Sequence, residues 1–267
     1  MFTVLPTSQL TTIPSAELRV LLLRRLHLPV PLSPSRCRCG RDLDEHGNHR
    51  AACSTCGVLR KRGKPLEKAA VRVCREAGAR VAENVMLRDM NLSGISSRDA
   101  RQIEVVANGL PLWGGAQLAV DTTLVSPVRR NGTPQAHAAS VDGVQLQTAR
   151  HRKEAKYREL LQSRRCRLVV LAIEVGGRWS EEATAFVRLL AKAKARTVPH
   201  LLRPAARAAF FHRWTGMLAV AAQRALAGTL LELPVDDAEG VDGDQPELEE
   251  VLVAARLLEA PVPSRVA

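Results

Sequence analysis

The sequence predicts an α/β fold in which a mixed sheet is flanked by helices, and three observations carry that expectation. Three strand-like runs follow one another after a well-delimited helix. A later run, RLVVLAIEV at 167–175, is continuously apolar and β-branched, the pattern of a strand buried on both faces. Helical periodicity surrounds that run on either side, and helices packed on a sheet are the natural way to bury all of these faces together.

Taken in order, SAELRVLLLRRLHLP (15–29) places Leu18, Leu21, Leu22 and Leu26 at near-helical spacing, with Ser15 as cap and Pro29 as stop. PLEKAAVRVCREA (65–77) gathers Leu66, Ala69, Ala70, Val73 and Ala77 on one side, with Pro65 in the first turn and Gly78 past the end. The strand-like runs are Val81–Leu87, Arg101–Val106 and Gln117–Val125, the last two separated by the turn signal NGLP and by Gly114-Gly115. Val144–Gln162 reads as a helix. Gly176-Gly177 ends the buried strand, Ser180 caps a helix to about Lys194, and an Ala/Leu-rich helical stretch occupies about 204–232.

With 267 residues the chain is long enough for a full core and one main domain with appendages. No apolar run approaches the ~20 residues of a membrane span, and the opening lacks the pattern of a secretory leader, so no membrane partner is expected. Two remaining cysteines, Cys74 and Cys166, lie in apolar segments, which suits a reducing compartment. The net charge of +12 is uneven: residues 236–250 hold eight acidic side chains and no Lys or Arg, leaving 37 basic against 18 acidic residues in 1–235. A body near +19 attracts phosphate backbones, and its arginines favour forked phosphate contacts. The division expected is a helical segment at 1–30, a zinc knuckle at 31–60, a main domain at 61–235 and an acidic, disordered tail at 236–267.

The knuckle rests on RCRCGRDLDEHGNHRAACSTCG (36–57). Cys37, Cys39, His49 and Cys53 read as C-x-C-x9-H-x3-C, two soft ligand pairs separated by a loop, as a tetrahedral structural Zn2+ requires. Cys56 and His46 are alternative ligands. Four protein ligands leave no open position for substrate, so chemistry has to lie elsewhere. On AQLAVDTTLV, Leu118, Val120, Thr122 and Leu124 alternate with Ala119, Asp121 and Thr123, setting one carboxylate among small residues, where a charge needs a partner. Glu104 on RQIEVV would share a cation with Asp121 if the two strands are hairpin neighbours, and two hard oxygen donors suit Mg2+. In HRKEAKY, Lys153 and Lys156 could offset charge developing on a phosphodiester.

In this order and spacing the motifs resemble the C-terminal region of non-LTR retrotransposon polyproteins, where a CCHC knuckle precedes a restriction-like endonuclease of the PD-(D/E)XK fold. The likeness covers roughly residues 15–235. That family has R-P-x-D at the first carboxylate, D-V-T-V at the second and K-x-x-K-Y on a basic helix. The resemblance implies that Glu104 stands in the place of the first Asp, that Asp121 is the second, and that Lys153, Lys156 and Tyr157 are the basic-helix set. It further implies that Glu67 is an extra carboxylate on the first helix. Gln102 replaces the family's proline and Glu104 its aspartate. The function implied is a magnesium-dependent DNA endonuclease that nicks its target, with DNA (RNA as the alternative) and a separate or upstream reverse transcriptase domain as partners. A nuclear location is expected, with the cytoplasm as the alternative. Two rival expectations are a catalytically decayed, non-enzymatic zinc-knuckle protein that binds nucleic acid, and an interaction protein using the acidic tail and the long C-terminal helix.

Overall fold

A computed structural model of the chain describes residues 4, 6–55, 59, 62–90, 92–234 and 245–259. After α1 (Ser15–Arg25) and the short α2 (Asn48–Ala52), α3 (Lys64–Glu76) leads into β1 (Arg80–Met86), β2 (Gln102–Asn108) and β3 (Gln117–Val125). Then α4 (Val144–Lys156) and α5 (Arg158–Gln162) precede β4 (Cys166–Glu174), followed by α6 (Glu181–Ala195), α7 (Arg203–Leu231) and α8 (Leu248–Glu259). The four strands form one mixed sheet in the order β1-β2-β3-β4, antiparallel up to β3 and parallel between β3 and β4. A parallel pair needs a crossover connection, and α4 with α5 supplies it.

Strand alternation divides the core into two layers. Leu118, Val120 and Leu124 of β3, with Val169, Leu171 and Ile173 of β4, face Leu66 and Val73 of α3, Phe186 and Leu190 of α6, and Trp214 and Leu218 of α7. Ala119, Leu168, Val170 and Ala172 face the other way, toward Leu146, Tyr157 and Leu160. The continuous apolar run on β4 is thus explained by burial on both sides. The long α7 is the common support of the first layer, contacting α1, α3, α6 and α8. It is tied to α3 through buried Glu76, which accepts from Arg72, from Arg213 Nε and Nη2 (2.9 and 2.8 Å) and from Trp214 Nε1 at 2.8 Å.

Three elements differ from expectation. The first helix has Pro14, not Ser15, at its cap position and ends at Arg25, ahead of Pro29. The helix read as continuous over 144–162 breaks at Tyr157 (φ −123°, ψ 47°), where the ring turns into the second layer. In the span 236–267 read as a disordered tail, residues 236–244 and 260–267 lie outside the described set, while α8 packs on α7. Val251 is buried, and Leu248, Leu252 and Ala255 lie against the same core. That stripe has helical spacing, and its acidic neighbours masked it. Among the described residues, no helix is long and apolar enough to cross a membrane.

Candidate metal centre and carboxylate site

Two turns build the first cluster. Cys37 N–H donates to Arg41 O and Gly40 N–H to Cys37 O, both at 2.8 Å, a tight turn that brings Cys39 back beside Cys37. At the other end, Asp44 caps α2, accepting from Asn48 N at 2.9 Å and His49 N at 2.7 Å. His49 and Cys53, four apart, then lie on one side of the turn. The ligand atoms of Cys37, Cys39, His49 and Cys53 all lie within 4.8 Å of one another, and Cys39 Sγ is 3.2 Å from His49 Nε2. Sulfur atoms bound to one tetrahedral zinc at ~2.3 Å would be about 3.8 Å apart, so these donors are compatible with such an ion. Burial pushes the Cys37 thiol up to about 12, and the neighbouring Cys39 and Cys53 thiols add to it. The Cys37 thiol therefore resists ionisation until a cation joins it. His46, the alternative ligand, is not drawn in; it stacks edge-on against His27 at 6.1 Å. Cys56 lies outside the described residues.

The segment bearing this cluster is fastened to α7 and β3. Arg50, fully buried, donates to Leu230 O at 2.6 Å and Pro34 O at 3.0 Å. Gly47 (φ +69°) lies close to Leu230, whose methyl group a Cβ would meet at 2.7 Å, and its left-handed backbone favours glycine. Arg62 joins Ala51 O to Leu124 O, the latter at 2.9 Å, and so links the knuckle to the end of β3.

The second cluster forms where β2 and β3 part. Their ladder covers Val105↔Val120 to Ala107↔Leu118. One position further, the same register sets Glu104 across from Asp121, but there Thr122 gives its N–H and its hydroxyl to Glu104 Oε2, both at 2.6 Å. On the opposite edge the β1–β2 ladder skips Asn84, which has φ +53°. Ile103 and Val105, two apart, pack into opposite layers, so the strand twists about Glu104. Glu104 thereby points toward β3, and burial first, the Asp121 carboxylate second, pushes its carboxyl up to about 7.

Asp121 is fully buried; Lys153 of α4 donates to its Oδ1, while its Oδ2 is buried without a hydrogen-bond partner. Glu67 of α3 lies near enough to raise the Glu104 carboxyl further, and is paired with Lys64 at 2.7 Å. Lys156 is exposed at the end of α4, 4.6 Å above the Tyr157 ring; its ammonium is shifted downward by burial and by Lys153. Glu104, Asp121, Lys153, Lys156 and Tyr157 thus lie in one region. Tyr157 is 1% exposed, its hydroxyl donates to Gln102 O at 2.8 Å, and burial first, then the Asp121 carboxylate, pushes its ionisation up, so it ties α4 to β2.

Spacing alone did not reveal three supporting residues. Thr122 holds Glu104, Asn84 takes the twist, and Arg101, clamped by Asp99 at 2.7 Å and Glu159 at 2.8 Å, donates to the Lys156 carbonyl. The one signal that could have marked Asn84 is its residue type, since asparagine tolerates positive φ inside a strand. Among the described residues, the knuckle is the one group of three or more Cys, His, Asp or Glu donors close enough to hold an ion; the carboxylates form no second such group. No family model matches this chain, and no curated protein matches it.

Proposed function

We propose that the chain is a metal-dependent DNA endonuclease domain of retroelement origin, with a structural zinc knuckle and a nicking site of the PD-(D/E)XK kind. The single observation that carries this reading is the pair Glu104 and Asp121, brought to one register position at the point where two strands separate. The helix, three strands, crossover helix and parallel strand that frame it support the same reading.

Cys37, Cys39, His49 and Cys53 are the residues that would hold zinc, an architectural ion there because all four positions are protein donors. The orphaned Asp121 Oδ2 and the facing Glu104 carboxyl fit a small hard cation, with Glu67 behind them. When bound, magnesium supplies positive charge at the phosphate and a more acidic water. Asp121 and Glu104 orient that centre, Lys156 offsets charge on the scissile phosphate, and Tyr157 and Arg101 fix the end of α4 that carries it. The basic body, near +19 over residues 1–235, attracts DNA to the site. A nuclear location and action beside a reverse transcriptase belong to the same proposal.

One observation favours a second reading. Lys153 already neutralises Asp121 Oδ1, as expected of a decayed site kept for nucleic-acid binding alone. Incubating supercoiled plasmid with the purified chain, with magnesium or with chelator, separates the two. Nicking with magnesium that Asp121→Asn abolishes supports the endonuclease; tight binding without nicking supports the binding protein.

A further inference from the structure

Between the knuckle and the turn that follows β3 lies an open groove of about 610 Å³. The turn is a small hairpin: Gln135 N–H donates to Pro127 O at 2.8 Å, Arg129 N–H to Thr133 O at 2.7 Å, and Asn131 Oδ1 accepts from the Thr133 N–H and hydroxyl. Its tip is docked on the knuckle. A Cβ on Gly132 (φ +81°) would come within 3.1 Å of Asn48 Nδ2, and Arg130 donates to the Ser54 hydroxyl. The groove thus has walls from two segments held in fixed relation.

Arg41 of the knuckle and Arg129 and Arg130 of the hairpin tip line it, with the amides of Asn131 and Gln135 between them. The guanidinium groups of Arg41 and Arg129 make no hydrogen bond or ion pair among the described residues, and both residues are exposed. Of the acids on the same walls, Asp44 gives both oxygens to the α2 N–H groups, and Asp42 gives one to exposed Arg36 at 2.9 Å, so three arginines face two carboxylates. The groove therefore offers unpaired forked donors beside neutral amides, the chemistry that takes phosphate oxygens two at a time. Because it is open and its arginines come from both walls, it suits a continuous backbone better than an isolated phosphate.

We propose that this groove seats the sugar-phosphate backbone of the DNA flanking the carboxylate site, an inference that rests on the DNA-processing reading above. The spacing suits one ligand engaging both. From Asp121 to Arg129 is eight residues along the chain, at most about 28 Å when extended, or roughly 8 base pairs of duplex at 3.4 Å each.

The test is fluorescence anisotropy with a duplex of about 30 base pairs across roughly 50–200 mM salt, using full-length chain with zinc content checked. The triple variant Arg41→Ala, Arg129→Ala, Arg130→Ala should lower the slope of log affinity against log salt by about 2–3, and exposed Arg129→Ala alone by about 1. The single variant keeps the question answerable if the triple folds poorly. A control triple at the end of α6 and on α7, Lys192→Ala, Arg196→Ala and Arg207→Ala, should leave the slope unchanged. A groove variant with the wild-type slope, or an equal loss in the control, overturns the groove while leaving the DNA reading intact. Wild-type binding that ignores salt overturns both.

Discussion

Lys153 on α4 donates to one oxygen of the buried Asp121 on β3, and the other oxygen of that carboxylate has no hydrogen-bond partner. Lys153 is the cation in direct contact with this buried carboxylate, with Lys156 acting on it from further off, and any metal using the site must compete with Lys153 for it. A buried carboxylate that loses its partner is costly, by about 3–5 kcal/mol.

Lys153→Met should therefore lower stability by about 3 kcal/mol in chelator, and added magnesium should restore part of that loss by binding the folded state. Asp121→Asn, which removes the charge itself, should be milder and insensitive to magnesium. Thermal melts of both variants with and without the ion check this; a Lys153→Met melting curve that ignores magnesium would argue against a cation site at Asp121.

Glu104 sets a pH dependence. Its carboxyl, at about 7 in the folded chain, lies above its ordinary value of 4.5, so between the two the folded state holds a proton that the unfolded chain has released. Its contribution to stability is full below about pH 4.5 and is lost as pH rises through about 7. Urea denaturation from pH 4.5 to 8 should show wild type losing on the order of 3 kcal/mol relative to Glu104→Gln over that range. Parallel pH profiles for the two proteins would contradict the assignment. Magnesium affinity should rise across the same window, because the ion needs the carboxylate.

Purified chain should hold one zinc, and Cys37→Ser or Cys53→Ser should release it, since three ligands remain for a structural ion. His46→Ala should retain it, because His46 lies against His27 and outside the cluster. Elemental analysis after dialysis decides, and full zinc in both cysteine variants would exclude this ligand set.

Glu76→Ala should destabilise the domain by about 3–5 kcal/mol, because Arg72, Arg213 and the Trp214 N–H lose their common acceptor inside the core. Equilibrium denaturation measures it. A change below about 1 kcal/mol would mean that water reaches the pair.

The strands were legible because alternation and continuous burial are written in residue type, as on β3 and β4. Asp121 stood out as a carboxylate among small residues, and the Cys and His spacing marked the knuckle. What escaped depends on backbone course. The break at Tyr157 arises because its ring is drawn beneath the sheet, and the twist about Glu104 arises from Asn84 and from a threonine bond eighteen residues along the chain. Helix α8 escaped because the acidic run at 236–250 leads into it and was read through to the end, although residues 251–258 are mostly apolar. Removing 236–267 would take buried Val251 with it, so the influence of the acidic segment on DNA binding is better tested by neutralising its side chains than by truncation.

The buried Arg50 has a consequence for how the molecule can be dissected. Its guanidinium closes the carbonyl of Leu230 at the far end of the chain, and Arg62 closes that of Leu124 on the sheet. A fragment starting at residue 61 would leave the carbonyl of Leu230 without the Arg50 donor, and the segment 31–60 excised alone would keep the Pro34 acceptor of Arg50 but lose the one on Leu230. Transplanting either half as an independent cassette should fail, and release of the ion should be felt at the end of α7 as loosened packing around Gly47 and Leu230.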